Sequence, residues 1–373
     1  MASSVALLLA LSPLSHEASP VALGLGNEQL VQTEGACGNF CLSATNAQFD
    51  VKMSAHAAKS LIPQPRAKSE NTLLLSPTSV TTYDVSWHPF YDMVAAAGYR
   101  TTSRSTERSV ASKTARRITA STSEIPISIS ARPFEGLSFG GKFIFRSVEL
   151  KQDNPTASSS KSEILTGQPH RWTVDAVWQK DEQNGYGVSY TSASNITLTP
   201  QNISTQFNSP GTTTPRWTDP QEFTLSVAHL STLKAPQGIV FGPFENVFHG
   251  SFNVVTWESG RPVSYAALAS TSVSKDGWNL TDNGSQTQEF RFDTLDPSLS
   301  ASVGLESIWA RTSLGSVSTY THMRMNHIAA KRETNQWQGG FGLSFNGNFL
   351  AVQAATLWRG EDAGYAVGLS TSL

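Results

Sequence analysis

The chain has 373 residues, with 27 Lys plus Arg against 29 Asp plus Glu and a formal net charge of -2. That balance excludes nucleic acid as a partner, since such binders carry a basic excess. Charged residues make up 15% of the chain against about 25% in ordinary soluble domains, while Ser plus Thr reach roughly 23% and aromatics 9%, which excludes both a typical cytosolic enzyme and a disordered chain.

The first apolar run, Val5 to Leu11, is VALLLAL. It is far shorter than the roughly 20 residues of a spanning helix and has the length of a signal-peptide core, so residues 1–18 are expected to be a signal peptide. Residues 19–48 hold Gly24, Gly26, Gly35 and Gly38 and show no strong periodicity. They are too long for a tail and too irregular for a strand, and are expected to form a plug. The only two cysteines, Cys37 and Cys41, lie in this segment. A disulfide in an oxidising compartment is the preferred reading, and two free thiols the alternative. A metal site would need more ligands than His56 supplies, so no metal and no cofactor is expected.

From Phe49 to the end, residues 49–373, the pattern has period 2. Ile125, Ile127 and Ile129 share a parity, and Leu137, Phe139, Phe143 and Phe145 alternate with Ser138, Gly140, Lys142 and Arg146, with Ile144 breaking the rule. The same alternation appears at Tyr186–Tyr190, Phe223–Val227, Leu299–Leu305, Phe341–Phe345 and Tyr365–Leu373. Alternation of this kind marks strands with two different faces. The polar face is mostly Ser, Thr, Gly and Asn rather than Lys and Glu. Aromatics such as Trp87, Tyr99, Trp172, Trp178, Trp337 and Trp358 gather near segment ends. A transmembrane antiparallel β-barrel of about 14 strands accounts for both facts; a secreted β-sandwich or β-helix is the soluble alternative. Pro133 to Gly136 and Asn346 to Asn348 read as tight links, and Lys151 to Pro169, Thr197 to Gln221, Ser231 to Glu245 and Ser274 to Gln286 as long ones. Thr101 to Ser123, with Arg104, Arg108, Lys113, Arg116 and Arg117, reads as two tall strands, as a surface for anionic lipopolysaccharide, or as a solvated loop.

Three stretches carry a family resemblance. Ile125 to Arg132 followed by Gly136-Leu137-Ser138-Phe139-Gly140-Gly141 forms one. Trp172 to Thr191, ending Gly185-Tyr186-Gly187-Val188-Ser189-Tyr190-Thr191, forms the second. Asp219 to His229, followed by Val254-Val255-Thr256-Trp257, forms the third. In their order and spacing they resemble the FadL/TodX family of outer-membrane transport proteins for long-chain fatty acids and other hydrophobic compounds. The resemblance implies a plugged barrel in the bacterial outer membrane. It also implies passive uptake of a hydrophobic small molecule such as a fatty acid, with outer-membrane lipid and lipopolysaccharide as surroundings, and a monomer.

No nucleophile elbow, phosphate loop, HExxH or EF-hand pattern is present in the sequence, so no catalytic residue is assigned and no enzyme is expected. A general porin or structural barrel shares the strand pattern but lacks a plug; an outer-membrane esterase or protease would need a Ser/His/acid set. Parity turns Lys142 and Arg146 into the lumen beside Ser128, Ser130 and Arg132, with no acid on the same two stretches. Arg132, Lys142 and Arg146 are therefore the candidate partners of a carboxylate head group, with Val31 and Phe40 of the plug beside its chain.

Overall fold

The structure, a computed structural model, describes residues 53–62, 73–75, 78–90, 92–110, 113–153, 163–180, 184–201, 216–219, 221–232, 245–256, 263–264, 272–274, 277–280, 291–292, 298–312, 315–328, 336–347, 350–359 and 362–372. The expected signal peptide, the expected plug with Val31, Phe40 and the Cys37–Cys41 pair, and the first residues after Phe49 lie outside these.

Fourteen strands form one closed antiparallel barrel. They are β1 (Met53–Ile62), β2 (Thr78–Phe90), β3 (Met93–Val110), β4 (Lys113–Phe134), β5 (Leu137–Asp153), β6 (Arg171–Gln179), β7 (Asn184–Thr191), β8 (Gln221–Thr232), β9 (Glu245–Thr256), β10 (Ser298–Thr312), β11 (Gly315–Ile328), β12 (Gln336–Gly347), β13 (Leu350–Arg359) and β14 (Asp362–Ser372). Each pairs with its neighbours in chain order, and β1 pairs with β14, from Ser54 opposite Ser372 to Leu61 opposite Tyr365. Closure leaves no open sheet edge, which is what lipid demands of a strand-built span.

The two faces are inverted relative to a soluble barrel. Ile125, Ile127, Ile129, Phe139, Phe143, Phe145, Leu343 and Val367 point outward and are exposed, whereas Glu124, Ser128, Lys142, Arg146, Ser344 and Gln353 are buried inside. The apolar outer series stop at the same level on adjacent strands. Ile125 lies opposite Phe145 and Tyr83 opposite Tyr99; beyond them the outward positions are Ser123, Ser147 and Glu149. On β4 the apolar stretch runs from Ile125 to Phe134. About ten residues at about 3.3 Å, tilted by about 40°, give a band near 25 Å tall, the height of an outer-membrane barrel's apolar belt. The remaining residues of β3 and β4 rise beyond that belt as the expected tall pair, and Leu73–Leu75 adds a short strand beside β3.

Short turns gather at the end where β1 starts and β14 finishes. The Glu135–Gly136 turn is the tightest described there. Gly136 has φ +74°, and a Cβ on it would lie 2.5 Å from the carbonyl oxygen of Gln179, so glycine is required. The opposite end carries residues 154–170, 192–220 and 257–297. The link read as a long one from Ser231 to Glu245 joins β8 to β9 at the short-turn end, because β8 runs towards that end.

Candidate functional site

The lumen is the site. Along β2 to β5 a row of direct cross-strand partners faces inward: Thr82 opposite Arg100, Arg100 opposite Glu124, Glu124 opposite Arg146. All four are buried. Strand alternation places each on the polar face, and the register brings opposite charges side by side, the favourable arrangement for cross-strand pairs. Arg100 Nη1 lies 3.3 Å from Glu124 Oε2, and Arg146 Nε donates to Glu124 Oε1 at 2.5 Å. Arg146 Nη1 donates to a second carboxylate, Asp219 Oδ2, at 2.7 Å.

Asp219 comes from outside the wall. It ends a short strand, Arg216–Asp219, that pairs with Ser194–Thr197 to make a separate two-stranded ribbon, with Ser194 opposite Asp219 and Ile196 opposite Trp217. Ser194 Oγ donates to Asp219 Oδ2 at 2.6 Å. Nearby, Arg171 at the start of β6 donates to Ser192 O at 2.9 Å and reaches Glu222 Oε1 on β8 at 3.4 Å. Within this cluster three guanidinium groups, Arg100, Arg146 and Arg171, meet three carboxylates, Glu124, Asp219 and Glu222. The local charge therefore cancels. Burying these groups has a large desolvation cost, which paired, hydrogen-bonded geometry offsets.

Lys142 and Arg146 are buried on the inner face, as parity predicts, and Lys142 lies opposite Thr173 with Asp175 two positions along the same strand. Arg132, half-buried, sits near the short-turn end, where its backbone N–H donates to Asp92 O at 2.8 Å. The three cations thus occupy different levels of the wall. Two acids beside Arg146 escaped the sequence reading. Glu124 stands one residue before the stretch that began at Ile125, so extending the same parity by one position would have found it. Asp219 lies in a link, where no periodicity points to a partner.

The opposite wall is built differently. On β10 to β12, Ser300, Ser302, Ser318 and Ser344 line the inner face. Tyr320 Oη and Ser344 Oγ are 2.9 Å apart, and Arg324 Nη2 donates to Ser300 Oγ at 2.8 Å. His322 lies opposite Gly340, where a Cβ would come within 2.5 Å of its Cε1. His249 Nε2 is 3.8 Å from Glu306 Oε2. Among the described residues no group of three or more His, Cys, Asp or Glu is arranged to hold a metal ion.

No protein-family model and no curated protein matches the sequence. Solved structures match its fold over nearly the whole length of both chains. The CymD monoaromatic hydrocarbon channel is 12% identical with a TM-score of 0.58, covering 95% of this chain and 97% of its own. A Pseudomonas aeruginosa FadL homologue is 11% identical with a TM-score of 0.58, covering 95% and 98%. The Pseudomonas putida toluene transporter TodX is 11% identical with a TM-score of 0.58, covering 96% and 98%. Fourteen antiparallel strands closed in chain order, with an apolar belt outside and a polar lumen inside, thus give this chain the same barrel fold as these channels at 11–12% sequence identity.

Proposed function

We propose that the chain is a bacterial outer-membrane channel for passive uptake of hydrophobic compounds, long-chain fatty acids among them, and not an enzyme. The observation that carries this reading is the inverted barrel in the fold of hydrocarbon and toluene channels, combined with a charge-compensated cluster in the lumen. A cluster whose charges cancel offers little to draw free ions inward, and suits solutes that bring no charge of their own. The short-turn end then faces the periplasm, and the tall β3–β4 pair stands outside. There Arg104, Arg108, Lys113, Arg116 and Arg117 would meet lipopolysaccharide, with Arg108 placed opposite Arg116 in register.

For a fatty acid, Arg132 and Lys142 would meet the carboxylate and Val31 and Phe40 the chain, while Arg146 is paired with Glu124 in the wall. A Cys37–Cys41 bridge would brace the plug. The protein is read as a monomer. Cells lacking their own uptake route and expressing this chain should take up labelled fatty acid or toluene, and the purified protein should migrate on gels in a heat-dependent way. Rapid passage of sugars without hydrophobic uptake would instead identify a general porin. Lys142→Gln should lower fatty-acid uptake several-fold and leave toluene uptake and assembly unchanged; equal fatty-acid uptake removes Lys142 from the binding site.

A further inference from the structure

The ribbon formed by Ser194–Thr197 and Arg216–Asp219 belongs to the link between β7 and β8, at the long-link end, yet its acid reaches a lumenal arginine. It is not woven into the wall. Its own pairs are internal, and its link is tied to the wall at its ends: Thr199 lies opposite Thr166 and Pro200 opposite Leu165, the Gln201 N–H donates to Ile164 O, and the Ser192 N–H donates to Trp172 O. A two-stranded ribbon of this size is not stable alone, so its position depends on what it rests against.

Two side-chain contacts add to those ties at its ends. One is the Asp219–Arg146 pair, in which a single oxygen, Asp219 Oδ2, accepts from Arg146 at 2.7 Å and from Ser194 at 2.6 Å. The other is apolar. Gly167, opposite the fully buried Val148, leaves room for the ribbon's side: a Cβ there would lie 2.5 Å from Ile196 Cδ1 and 2.8 Å from Leu198 Cδ2. Trp217, two residues before Asp219 and so on the same face of its strand, is 2% exposed.

Arg146 has two acids of different attachment: Glu124 is fixed in the wall, and Asp219 travels with the ribbon. If the ribbon lifts, Arg146 keeps Glu124 and is not stranded as an unpaired buried charge. That asymmetry distinguishes a releasable contact from a purely structural one. We propose that the ribbon is a gate over the long-link mouth of the barrel, that the Asp219–Arg146 pair is its latch, and that Asp219 is the positioning residue. An uncharged apolar solute opens it by covering the apolar surface at Val148, Ile196 and Leu198 that lifting exposes. The gate deepens the channel reading, but its test does not depend on hydrophobic uptake.

Full-length protein in liposomes, with both native cysteines changed to Ser, is assayed for efflux of arabinose beside the same chain lacking residues 19–48, and each variant is read in both so that the proposed plug does not mask the gate. Asp219→Ala should raise efflux about tenfold over the parent. Adding Thr166→Cys and Thr199→Cys places thiols on directly opposed residues, about 4.5–5.5 Å apart at Cα, within reach of a disulfide. Oxidation should return efflux to the parent level, and reductant should raise it again. Unchanged efflux from assembled Asp219→Ala overturns the gate, as does a leak that oxidation fails to close. If Asp219→Ala does not assemble, the isosteric Asp219→Asn is read in the same assay against the same two outcomes. Hydrophobic uptake by the parent is scored separately: its absence, with a latched sugar leak intact, removes the channel reading and keeps the gate.

Discussion

The wall of β2 to β5 and the wall of β10 to β12 face the same closed lumen and satisfy their polar groups by different means. In the first, charges meet charges in register: Arg100 and Arg146 both depend on Glu124 one strand away, and Arg146 also on Asp219 of the ribbon. In the second, hydroxyls meet hydroxyls, an arginine meets a serine, and an imidazole lies over a glycine. A hydroxyl rotates to find another partner, whereas a buried charge that loses its partner has no cheap alternative. The charged wall should therefore fail abruptly on substitution and the hydroxyl wall gradually.

The largest effect is expected at Glu124, whose carboxylate serves both Arg100 and Arg146. Glu124→Leu should cost about 3–5 kcal/mol by leaving buried cations short of a partner. Urea unfolding of the barrel in lipid, followed by gel mobility, measures it. Ser318→Ala on the other wall should cost less than about 1 kcal/mol. Equal losses would mean that the two walls are not built differently.

An intermediate effect is expected at Gly340. Gly340→Val places a branched side chain where the ring of His322 lies, and overpacking of this sort costs about 1–3 kcal/mol. His322→Ala in the same chain should recover most of the loss. If it does not, the glycine is needed for the backbone rather than for the ring.

The barrel itself was legible because its signal is repeated along every strand. Phe139, Phe143 and Phe145 or Phe341, Leu343 and Phe345 each announce an outer face, and misreading one strand leaves the rest intact. Ile144 broke the alternation in the sequence, and the reason is visible in the fold: it is buried on the inner face, beside the start of β6, where Arg171 is its register partner. The charge cluster was only half legible. Arg146 and Lys142 follow from parity, but their neighbours are fixed by register between strands, and no single strand carries that information. Asp219 was hidden more deeply. It acts through a ribbon of four-residue strands, too short for alternation to show, whose placement rests on contacts between distant segments, an ion pair and the room left by a glycine among them.

The smallest expected effect tests the tolerant wall directly. Tyr320 is almost fully buried, and its hydroxyl oxygen lies 2.9 Å from that of Ser344, so either group donates to the other. Tyr320→Phe keeps the ring and its packing and removes one hydroxyl. A neutral hydrogen bond contributes about 1 kcal/mol net, so the loss should be near that and well below the loss at Glu124. Ser344→Ala should cost a similar amount, and the double variant should cost clearly less than the sum, because each single change already breaks the same bond. A strictly additive double variant would show that the two hydroxyls act apart. A Tyr320→Phe loss as large as that of Glu124→Leu would show that a hydroxyl in this lumen is as irreplaceable as a charge, and the contrast between the walls would fall.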